Sequence, residues 1–381
     1  MEFKKEFIAI RHYIHAHPET SSEEFKTTQY LKEKLLSWGI RIVSTSLETG
    51  IIAEIGDAKK GPTIALRADI DALPILEQTD LAFSSINEGK MHACGHDLHQ
   101  TSLLGAAYKL KQKEENLQGL VRLIFQAAEE THIGAQKVIN AGHLQDVQAI
   151  IGYHNHPALS VGTIGLRAGG IMAAVDQFEV KVQGKGTHAA QPHTGTDVLL
   201  ATSAIIQNLQ SVISRNFSPL DAAVLSVTHM EAGNTWNVLP DTSFFEGTLR
   251  SFSAENREKL RKRFVDIVKQ TAATFEVDVE INLIAGPPET FNDAKLTEWV
   301  KEASQTIATV IEVEPSTAGE DFANFQKVIP GVFAFIGSNG VKNAPAWHQS
   351  NFIVSDEALF IAIQYYVATT EILLEHLKNP N

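Results

Sequence analysis

The chain has 381 residues, a formal net charge of −13 at neutral pH, 44% hydrophobic residues and 20% charged residues. This composition is typical of a water-soluble globular protein, and the length predicts two domains rather than one. The negative charge argues against nucleic acids and anionic membranes as partners. The sequence contains no apolar run of about 18 residues, so we expect no transmembrane helix.

The single cysteine, Cys94, excludes an internal disulfide bond. Its isolation is typical of proteins in a reducing cytoplasm. The N-terminal stretch Met1–Glu6 leads into an amphipathic helix and lacks the apolar core of a signal peptide. Both features predict a cytoplasmic protein.

The first part of the chain is predicted to form two helices followed by three short strands. The first helix covers residues 3–17 and ends before Pro18. Ser21–Glu24 resembles a capping box that opens a second helix, which ends at Gly39. Apolar runs rich in β-branched residues then predict strands at 40–44, 51–55 and 63–68.

The stretch Met91–His99 carries three histidines, an aspartate and the cysteine. Cys94 and His96 are two residues apart, so in an extended chain both side chains point the same way. Thiolate and imidazole ligands suit a transition metal, and a helix predicted from His99 to Leu110 would support them rigidly. For this stretch alone, the alternative is a buried cysteine that acts as a small hydrophobic residue.

Polar side chains follow three apolar strands that are separated by helices. The strands are 63–68, 120–125 and 149–153, and they predict a mostly parallel α/β sheet with helices on both faces. Such sheets bind ligands at the carboxyl ends of their strands. The side chains at those ends are Asp69, Asp71, Glu129, Glu130 and His154. We interpret their convergence as a metal or catalytic site, with turn-forming aspartates and solvated glutamates as the alternative.

From residue 171 the pattern changes to that of a second domain. Its elements are a strand at 174–184, a helix at 196–215, strands at 222–230 and 243–252, a helix at 254–275 and a strand at 277–283. This β-α-β-β-α-β order is ferredoxin-like. We therefore predict that residues 171–286 form a domain inserted into a catalytic domain made of residues 1–170 and 287–381.

The last segment returns to the first pattern and is predicted to complete the catalytic domain. It contains a helix at 295–309, a strand at 331–336, the Trp347–His348 loop and a closing helix at 356–377.

Five motifs together resemble those of the M20 metallopeptidase family. They match its amidohydrolase branch, which includes N-acyl-amino-acid deacetylases, N-acetyldiaminopimelate deacetylases and plant auxin-conjugate hydrolases. The motifs are spread over nearly the whole chain, so the resemblance covers both predicted domains. They are Arg67–Pro74, His92–Asp97, Phe125–Glu130, Gly184–Ala189 and Gly319–Phe322.

The resemblance implies a site for two divalent metal ions, with manganese, zinc, nickel and cobalt as candidates. The ligands that it implies are Cys94, His96, Glu130, His154 and His348. The residues alone nominate Cys94, His96 and His154, whereas nothing local distinguishes His348 among the fifteen histidines. A thiolate at Cys94 can bridge two such ions.

Other polar residues near these ligands are expected to have supporting roles. We expect His92, His99 and His156 to support the site or the fold rather than bind metal. Asp97 is expected to orient a ligating imidazole.

By the same resemblance, Glu129 takes a proton from the attacking water and returns it to the leaving amine. Asp69 and Asp71 tune the site from behind, with capping of strand ends as the alternative. His188 reaches the site of a neighbouring subunit and stabilises the oxyanion, with an exposed loop histidine as the alternative.

Asn237 and Arg250 are candidates for binding a substrate carboxylate, because a guanidinium offers two parallel hydrogen bonds to it. The alternative for Arg250 is a surface ion pair. The resemblance also implies a homodimer formed through the inserted domain.

The sequence therefore predicts a metal-dependent amidohydrolase that cleaves N-acyl amino acids, with acetyl as the expected acyl group. N-acetyldiaminopimelate, dipeptides and other acylated amino acids are alternative substrates within the family. A non-catalytic metal- or ligand-binding protein on this scaffold is a further alternative, against which the presence of Glu129 argues. A glycosidase using Glu129 with Asp69 or Asp71 is another, but such enzymes need no metal.

Overall fold

The structure, a computed structural model, describes residues 2–341 and 343–379. Its α-helices are α1 (Glu2–Ala16), α2 (Phe25–Ser37), α3 (His96–Gln112), α4 (Gly134–Asn140), α5 (Val198–Asn216), α6 (Ala254–Thr274), α7 (Ala294–Gln305), α8 (Phe322–Gln326) and α9 (Asp356–Lys378). Its strands are β1 (Arg41–Ile42), β2 (Ile51–Gly56), β3 (Thr63–Asp69), β4 (Leu120–Gln126), β5 (Val147–Ser160), β6 (Thr163–Leu166), β7 (Gly169–Met172), β8 (Ala174–Gln183), β9 (Thr187–His188), β10 (Ala223–Ala232), β11 (Val238–Leu239), β12 (Thr242–Ser251), β13 (Asp278–Ala285), β14 (Thr290–Asn292), β15 (Thr309–Glu312) and β16 (Gly331–Asn339).

The chain divides into two compact units. The first contains Met1–Ile171, Phe291–Glu314 and Asp321–Asn381, as far as these ranges are described, and the second contains Met172–Thr290 and Pro315–Glu320. The second unit is therefore contiguous in sequence except for one short segment near the end of the chain.

The first unit is built on an eight-stranded sheet in the order β1-β2-β4-β3-β5-β16-β6-β15. Its central neighbours, β4 with β3, β3 with β5 and β5 with β16, all run parallel. The outer strands add antiparallel pairs, β1 with β2 and β16 with β6. This confirms the predicted α/β fold with a mostly parallel sheet.

Helices cover both faces of this sheet, as successive residues of β5 show. The ring of Tyr153 lies 5.4 Å from that of Tyr366 in α9. At Gly152, an added Cβ would lie 2.8 Å from the ring of Phe322 in α8. Because neighbouring side chains of a strand point to opposite faces, α8 and α9 lie on opposite sides of the sheet.

The second unit has a four-stranded antiparallel sheet in the order β10-β12-β8-β13. Helices α5 and α6 contribute buried Ile205, Leu209, Phe264 and Val268 to its core. The chain order β8-α5-β10-β12-α6-β13 confirms the predicted β-α-β-β-α-β pattern. The last strand of the pattern, β13, pairs with the first, β8. This pairing is the arrangement of a ferredoxin-like unit.

Among the described residues, one helix, α9, is long and apolar enough to cross a membrane by length and composition. Its most apolar window is 61% buried inside the protein. Tyr365, Tyr366 and Leu373 of this helix belong to the core of the first unit. Packing against the sheet therefore accounts for the apolar character of α9.

The predicted capping box at Ser21–Glu24 is wrong. The residue before α2 is Glu24, whose side chain makes no capping hydrogen bond to the helix. Instead the Ser21 hydroxyl donates to Asp71, and a Glu24 oxygen accepts from the backbone of Ala128. Both side chains bond to distant segments, which a local pattern does not reveal.

A buried ion-pair network joins α1 to the start of α3. Asp97 accepts from Arg11 at 3.0 Å and lies 3.1 Å from Nδ1 of His15, whose Nε2 lies 3.1 Å from Glu77. Asp97 thus pairs with α1 and not with a ligating imidazole, so that expectation is wrong. Burial lowers the pKa of His15, but Asp97 and Glu77 more than offset burial and raise the pKa from 6.5 to about 9.

The raised pKa of His15 predicts a pH-dependent contribution to stability. Because the folded-state pKa is above the unfolded one, the contribution is present below pH 6.5 and is lost as the pH rises through about 9. Its full size is about 3 kcal/mol. His15→Gln should remove this part of the pH dependence of urea unfolding of metal-free protein, whereas His376→Gln, on the surface of α9, should retain it. Equal slopes for His15→Gln and the wild type would contradict the assignment.

Candidate metal centre

The carboxyl ends of β3 and β5 separate where the polar residues begin. The β3–β5 ladder ends at the pair Leu66 and Ile151. Asp69 and His154 each lie three residues farther on in the sequence, and both are buried. His99, in the first turn of α3, lies between the two strands, with Nδ1 2.7 Å from Asp69 and Nε2 3.0 Å from the backbone nitrogen of Asn155. The sequence therefore places polar groups where the sheet opens.

The loop before α3 brings Cys94 and His96 to this opening. Gly95 between them has φ = 84°, a left-handed conformation that favours glycine. A Cβ at this position would lie 2.5 Å from the side-chain nitrogen of Asn155. The Cys94 thiol lies 3.3 Å from Nε2 of His154. Glycine is therefore required both by the backbone conformation and by the close packing of Asn155.

His96 is oriented by Asp71. Its Nδ1 lies 2.9 Å from the Asp71 carbonyl oxygen and 3.3 Å from an Asp71 carboxylate oxygen. Its Nε2 is buried and has no hydrogen-bond partner among the described residues. That nitrogen lies 3.7 Å from Asp69 and 3.8 Å from Glu130. A buried imidazole held at Nδ1 with a free Nε2 is the arrangement of a metal ligand.

His154 is held in the same way from the other side. Its Nδ1 donates to the carbonyl oxygen of Asn155 at 2.8 Å, so Nε2 carries the lone pair that faces Cys94. Burial lowers the pKa of His154 well below 6.5, and nearby imidazoles lower it further. The neutral form required of a metal ligand is therefore the stable one.

Glu129 and Glu130 follow a left-handed residue, Ala128, with φ = 55°. Glu24 holds this turn by accepting from the Ala128 nitrogen at 2.8 Å. The backbone nitrogen of Glu130 donates to Asp71 at 3.0 Å, and Glu129 accepts from the backbone nitrogen of Asp321 at 3.4 Å. The two neighbouring glutamates are therefore held by different parts of the first unit.

His348 comes to the site from the far end of the chain. It has φ = 65°, and its backbone nitrogen donates to the Ala93 carbonyl at 2.9 Å. Its Nε2 lies 3.5 Å from Glu130, and its side chain is 53% exposed. His348 therefore closes the solvent side of the site. Only the chain fold brings it there, which is why local sequence analysis could not find it.

Two groups of possible ligands share the Cys94 thiol. One is Cys94, His96 and His154, and the other is Cys94, Glu130 and His348; within each group the ligand atoms lie within 4.8 Å of one another. The structure thus brings together all five residues implied by the family resemblance. Nε2 of His96 and Oε1 of Glu130 are buried and have no hydrogen-bond partner among the described residues, as expected of atoms that would bind a cation. This donor set suits borderline divalent metal ions.

The charge balance of the site also favours cations. Burial and the Glu130 and Glu129 carboxylates raise the pKa of the Cys94 thiol well above 9.0. Burial raises the pKa of Glu130 to about 7, with His96 opposing and Asp71 adding to the rise. Removing acidic groups from water favours their protonated forms unless a positive charge is close. A divalent ion would supply that charge.

Not every histidine near the site is available as a ligand. His99 uses both ring nitrogens, one with Asp69 and the other with the Asn155 backbone. His92 is buried and its ring nitrogens have no hydrogen-bond partner among the described residues, but it belongs to none of the groups of possible ligands found there. His156 packs its ring against Trp347 at 5.4 Å.

Three residues predicted to act at the site belong to the second unit. His188 is exposed in β9, where its Nδ1 accepts from the Ala190 nitrogen at 3.0 Å. The carbonyl of Asn237 accepts from the Ala189 nitrogen at 3.0 Å, so these two loops lie side by side. Arg250 donates to the carbonyls of Thr317 and Leu249.

The motif that contains Asp321 extends the site into the core. Asp321 accepts from Arg67 at 2.9 Å and from Gln126 at 2.8 Å, and it also accepts from the backbone nitrogen of Ala135 at 2.9 Å. Arg67 donates in addition to Asp69 at 2.9 Å. The sequence motif pointed to Asp321, but its link to both strand ends is visible only in the structure.

A thiol shared by two ligand groups, at the carboxyl edge of a mostly parallel sheet, fits a dinuclear metallohydrolase. Comparison with known proteins gives the family. The model of peptidase family M20/M25/M40 matches residues 65–371, and the chain belongs to that family. It is a hydrolase that acts on amide bonds.

Relatives of known description cover almost the whole chain. An N-acetyl-L-cysteine deacetylase of Bacillus subtilis is 45% identical over 373 residues, which are 98% of this chain and 89% of that protein. An IAA-amino acid hydrolase ILR1-like 4 of Arabidopsis thaliana is 38% identical, over 92% of this chain and 82% of that protein. The solved YXEP protein of Bacillus subtilis, described as a dinuclear metal-binding peptidase of the M20 family, has a TM-score of 0.89 and 40% identity, covering 98% of this chain and 99% of its own.

The shared thiol predicts the effect of removing Cys94. We expect Cys94→Ala to bind Co²⁺ at least about tenfold more weakly and with lower stoichiometry than the wild type. The thiolate-to-cobalt absorption of the wild type should be absent. Titration of metal-free protein, followed by calorimetry and absorption, measures both. His376→Ala is the control, and unchanged cobalt stoichiometry and affinity in Cys94→Ala would contradict the ligand assignment.

Proposed function

We propose that this chain hydrolyses the amide bond of small N-acyl amino acids, with acetyl as the acyl group. The observation that carries the proposal is the pair of ligand groups that share Cys94, with the carboxylate of Glu129 beside them. The descriptions of the deacetylase and of the conjugate hydrolase support an acylated amino acid as the substrate class.

In this proposal the chain holds two divalent ions, with manganese, zinc, nickel and cobalt as candidates. The ligands are Cys94, His96, Glu130, His154 and His348. When bound, such ions lower the pKa of a water molecule and polarise the scissile carbonyl. The chain contributes a rigid cage, because the ligands come from four segments that hydrogen bonds fix to one another.

Glu129 is the proposed general base and acid. It is 5% exposed and lies in a group with His96 and Glu130 whose oxygen and nitrogen atoms are within 4.8 Å of one another. In the first step its carboxylate accepts the proton that water loses as the new C–O bond forms. In the second it gives that proton to the nitrogen as the C–N bond breaks, which leaves a carboxylic acid and a free amine.

The geometry supports different roles for Asp69 and Asp71. Asp71 touches His96 at Nδ1 and the Glu130 backbone, so we propose that it orients these two ligands. Asp69 accepts from Arg67 and from Nδ1 of His99. We therefore propose that it fixes these two side chains, which in turn support the ligands.

We propose that three residues of the second unit act on the substrate. By resemblance, His188 stabilises the oxyanion in the site of a neighbouring subunit. Asn237 and Arg250 bind the substrate carboxylate, for which a guanidinium offers two parallel hydrogen bonds. Action of His188 in a neighbouring subunit requires a dimer. Strand β10 supports one, because it lies at one edge of its sheet and residues 228–231 are exposed. Exposed edges can pair with a second copy. We also propose a cytoplasmic location, which the single cysteine supports.

The activity is tested with metal-loaded protein and a panel of N-acetyl amino acids that includes N-acetylcysteine and N-acetyldiaminopimelate. We expect release of acetate from at least one of them, which stops on chelation. Glu129→Gln should lower kcat about 10²- to 10⁴-fold, while cobalt affinity stays within a few-fold of the wild type, because Gln retains an oxygen near the site.

Glu298→Gln, on the exposed surface of α7, is the control and should keep full activity. If no member of the panel is hydrolysed although metal is bound, the non-catalytic alternative is favoured. Full activity in the presence of chelator would instead favour a carboxylate-only hydrolase.

Complementation tests whether His188 acts on the neighbouring subunit. His188→Ala should lower kcat about 10²- to 10³-fold, whereas His193→Ala in the same exposed segment should not. After exchange of subunits with Glu129→Gln, half of the dimers are hybrids with one intact site, so about a quarter of wild-type activity should return. No recovery in mixtures shown to contain hybrids would contradict action in trans.

A further inference from the structure

Asn155 follows the proposed ligand His154 and is a fully buried polar residue beside the metal centre. We propose that Asn155 is a positioning residue, which holds the Cys94 loop, His154 and the Trp347–His348 loop at the distances that metal binding requires. The proposal rests on the metal centre proposed above. It is carried by hydrogen bonds that leave from both ends of one side-chain amide.

The nitrogen end of the amide holds the loop of Cys94. The Asn155 Nδ2 donates to the Cys94 carbonyl at 2.6 Å and lies 3.0 Å from Nε2 of His99. An added Cβ at Gly95 would lie 2.5 Å from the same nitrogen. The turn that presents the Cys94 thiol is thus packed directly on this amide group.

The backbone of Asn155 fixes the tautomer of His99. Its N–H can only donate, and it points at Nε2 of His99 at 3.0 Å. Nε2 is therefore the acceptor, so Nδ1 carries the hydrogen and donates to Asp69 at 2.7 Å. The other oxygen of Asp69 lies 3.7 Å from Nε2 of His96. Asn155 is in this way connected to the surroundings of a second proposed ligand.

The oxygen end of the amide holds the segment that carries His348. The Asn155 Oδ1 accepts from the Ser338 hydroxyl at 3.2 Å and from the indole nitrogen of Trp347 at 3.4 Å. Trp347 directly precedes His348, and its ring centre lies 4.7 Å from that of His154. The indole is therefore fixed between two proposed ligands from different ends of the chain.

These partners determine the orientation of the amide and exclude an acid in its place. Nδ2 faces groups that accept, a carbonyl and an unprotonated imidazole nitrogen, while Oδ1 faces groups that donate. An aspartate has nearly the same shape but cannot donate when ionised. It would place a carboxylate oxygen against the Cys94 carbonyl, at the cost of a buried unpaired charge. The ligand loops would then lose their common attachment.

The experiment compares Asn155→Asp with Asn292→Asp. Asn292 is also fully buried in the first unit, and its Nδ2 donates to the carbonyls of Arg167 and Phe333 at 2.9 and 2.8 Å. Its Oδ1 accepts from the Phe333 nitrogen at 2.7 Å. The two substitutions therefore remove similar hydrogen bonds from the same unit, one beside the metal centre and the other away from it.

Metal-free proteins are first compared by thermal unfolding, and Co²⁺ is then titrated into each. Both variants should lower the unfolding temperature. Only Asn155→Asp should weaken cobalt binding by about tenfold or more and change the thiolate-to-cobalt absorption. Asn155→Ala, which adds no charge, replaces Asn155→Asp in the same comparison if the latter does not fold.

Cobalt affinity and absorption that match the wild type in the folded Asn155 variant would overturn the positioning role. Equal weakening by Asn292→Asp would overturn it as well, since the effect would then follow stability alone. If wild-type protein itself bound no Co²⁺, the proposed metal centre would fail, which is a different result from failure of the Asn155 proposal alone.

Discussion

The constraint on which the first unit depends is the crowding of electron-donating groups around the thiol of Cys94. Ring nitrogens of three histidines and the carboxylate of Glu130 lie within 4.8 Å of it, and of these groups only His348 is largely exposed. The thiolate and the carboxylate repel each other when charged, and every one of these groups loses solvation when buried. Each is held from behind, His96 by Asp71 and His154 by a backbone carbonyl. The pocket can therefore be rigid before a cation enters, which lowers the cost of binding.

The same constraint explains the buried ion pairs around the site. Arg67 joins Asp69, at the end of β3, to Asp321, which lies 252 positions farther along the sequence. Asp321 in turn offers its backbone N–H to Glu129. A fully buried ion pair adds little net stability compared with apolar packing. Its value here is geometric, because it fixes the ends of β3 and β4 and the carboxylate of the proposed base relative to one another.

The parts of this structure that local chemistry determines could be predicted from the sequence. Periodicity gave the central strands and the long helices but not the short strands β6 and β15 or helix α8, and polar residues after apolar strands gave the edge of the sheet where the site lies. The spacing of Cys94 and His96 gave the first proposed ligands. Local chemistry does not single out His348, which only the family resemblance implied, or the role of Asn155, because each depends on contacts with residues that are distant in sequence. Asp97 was misassigned for the same reason, since its partner Arg11 lies on another helix.

The central position of β16 has a consequence for how the polypeptide acquires its shape during synthesis. This strand lies between β5 and β6, yet it is made after the whole second unit. During synthesis on the ribosome, the edge of β5 that later pairs with β16 stays unpaired. In that time nearly all of the second unit emerges and can fold by itself. During that interval the Cys94 thiol already has His154 beside it but lacks Trp347, His348 and Phe352, which later pack against its loop. Protection of Cys94 from oxidation is thus completed only after the segment from β16 to Phe352 has been made.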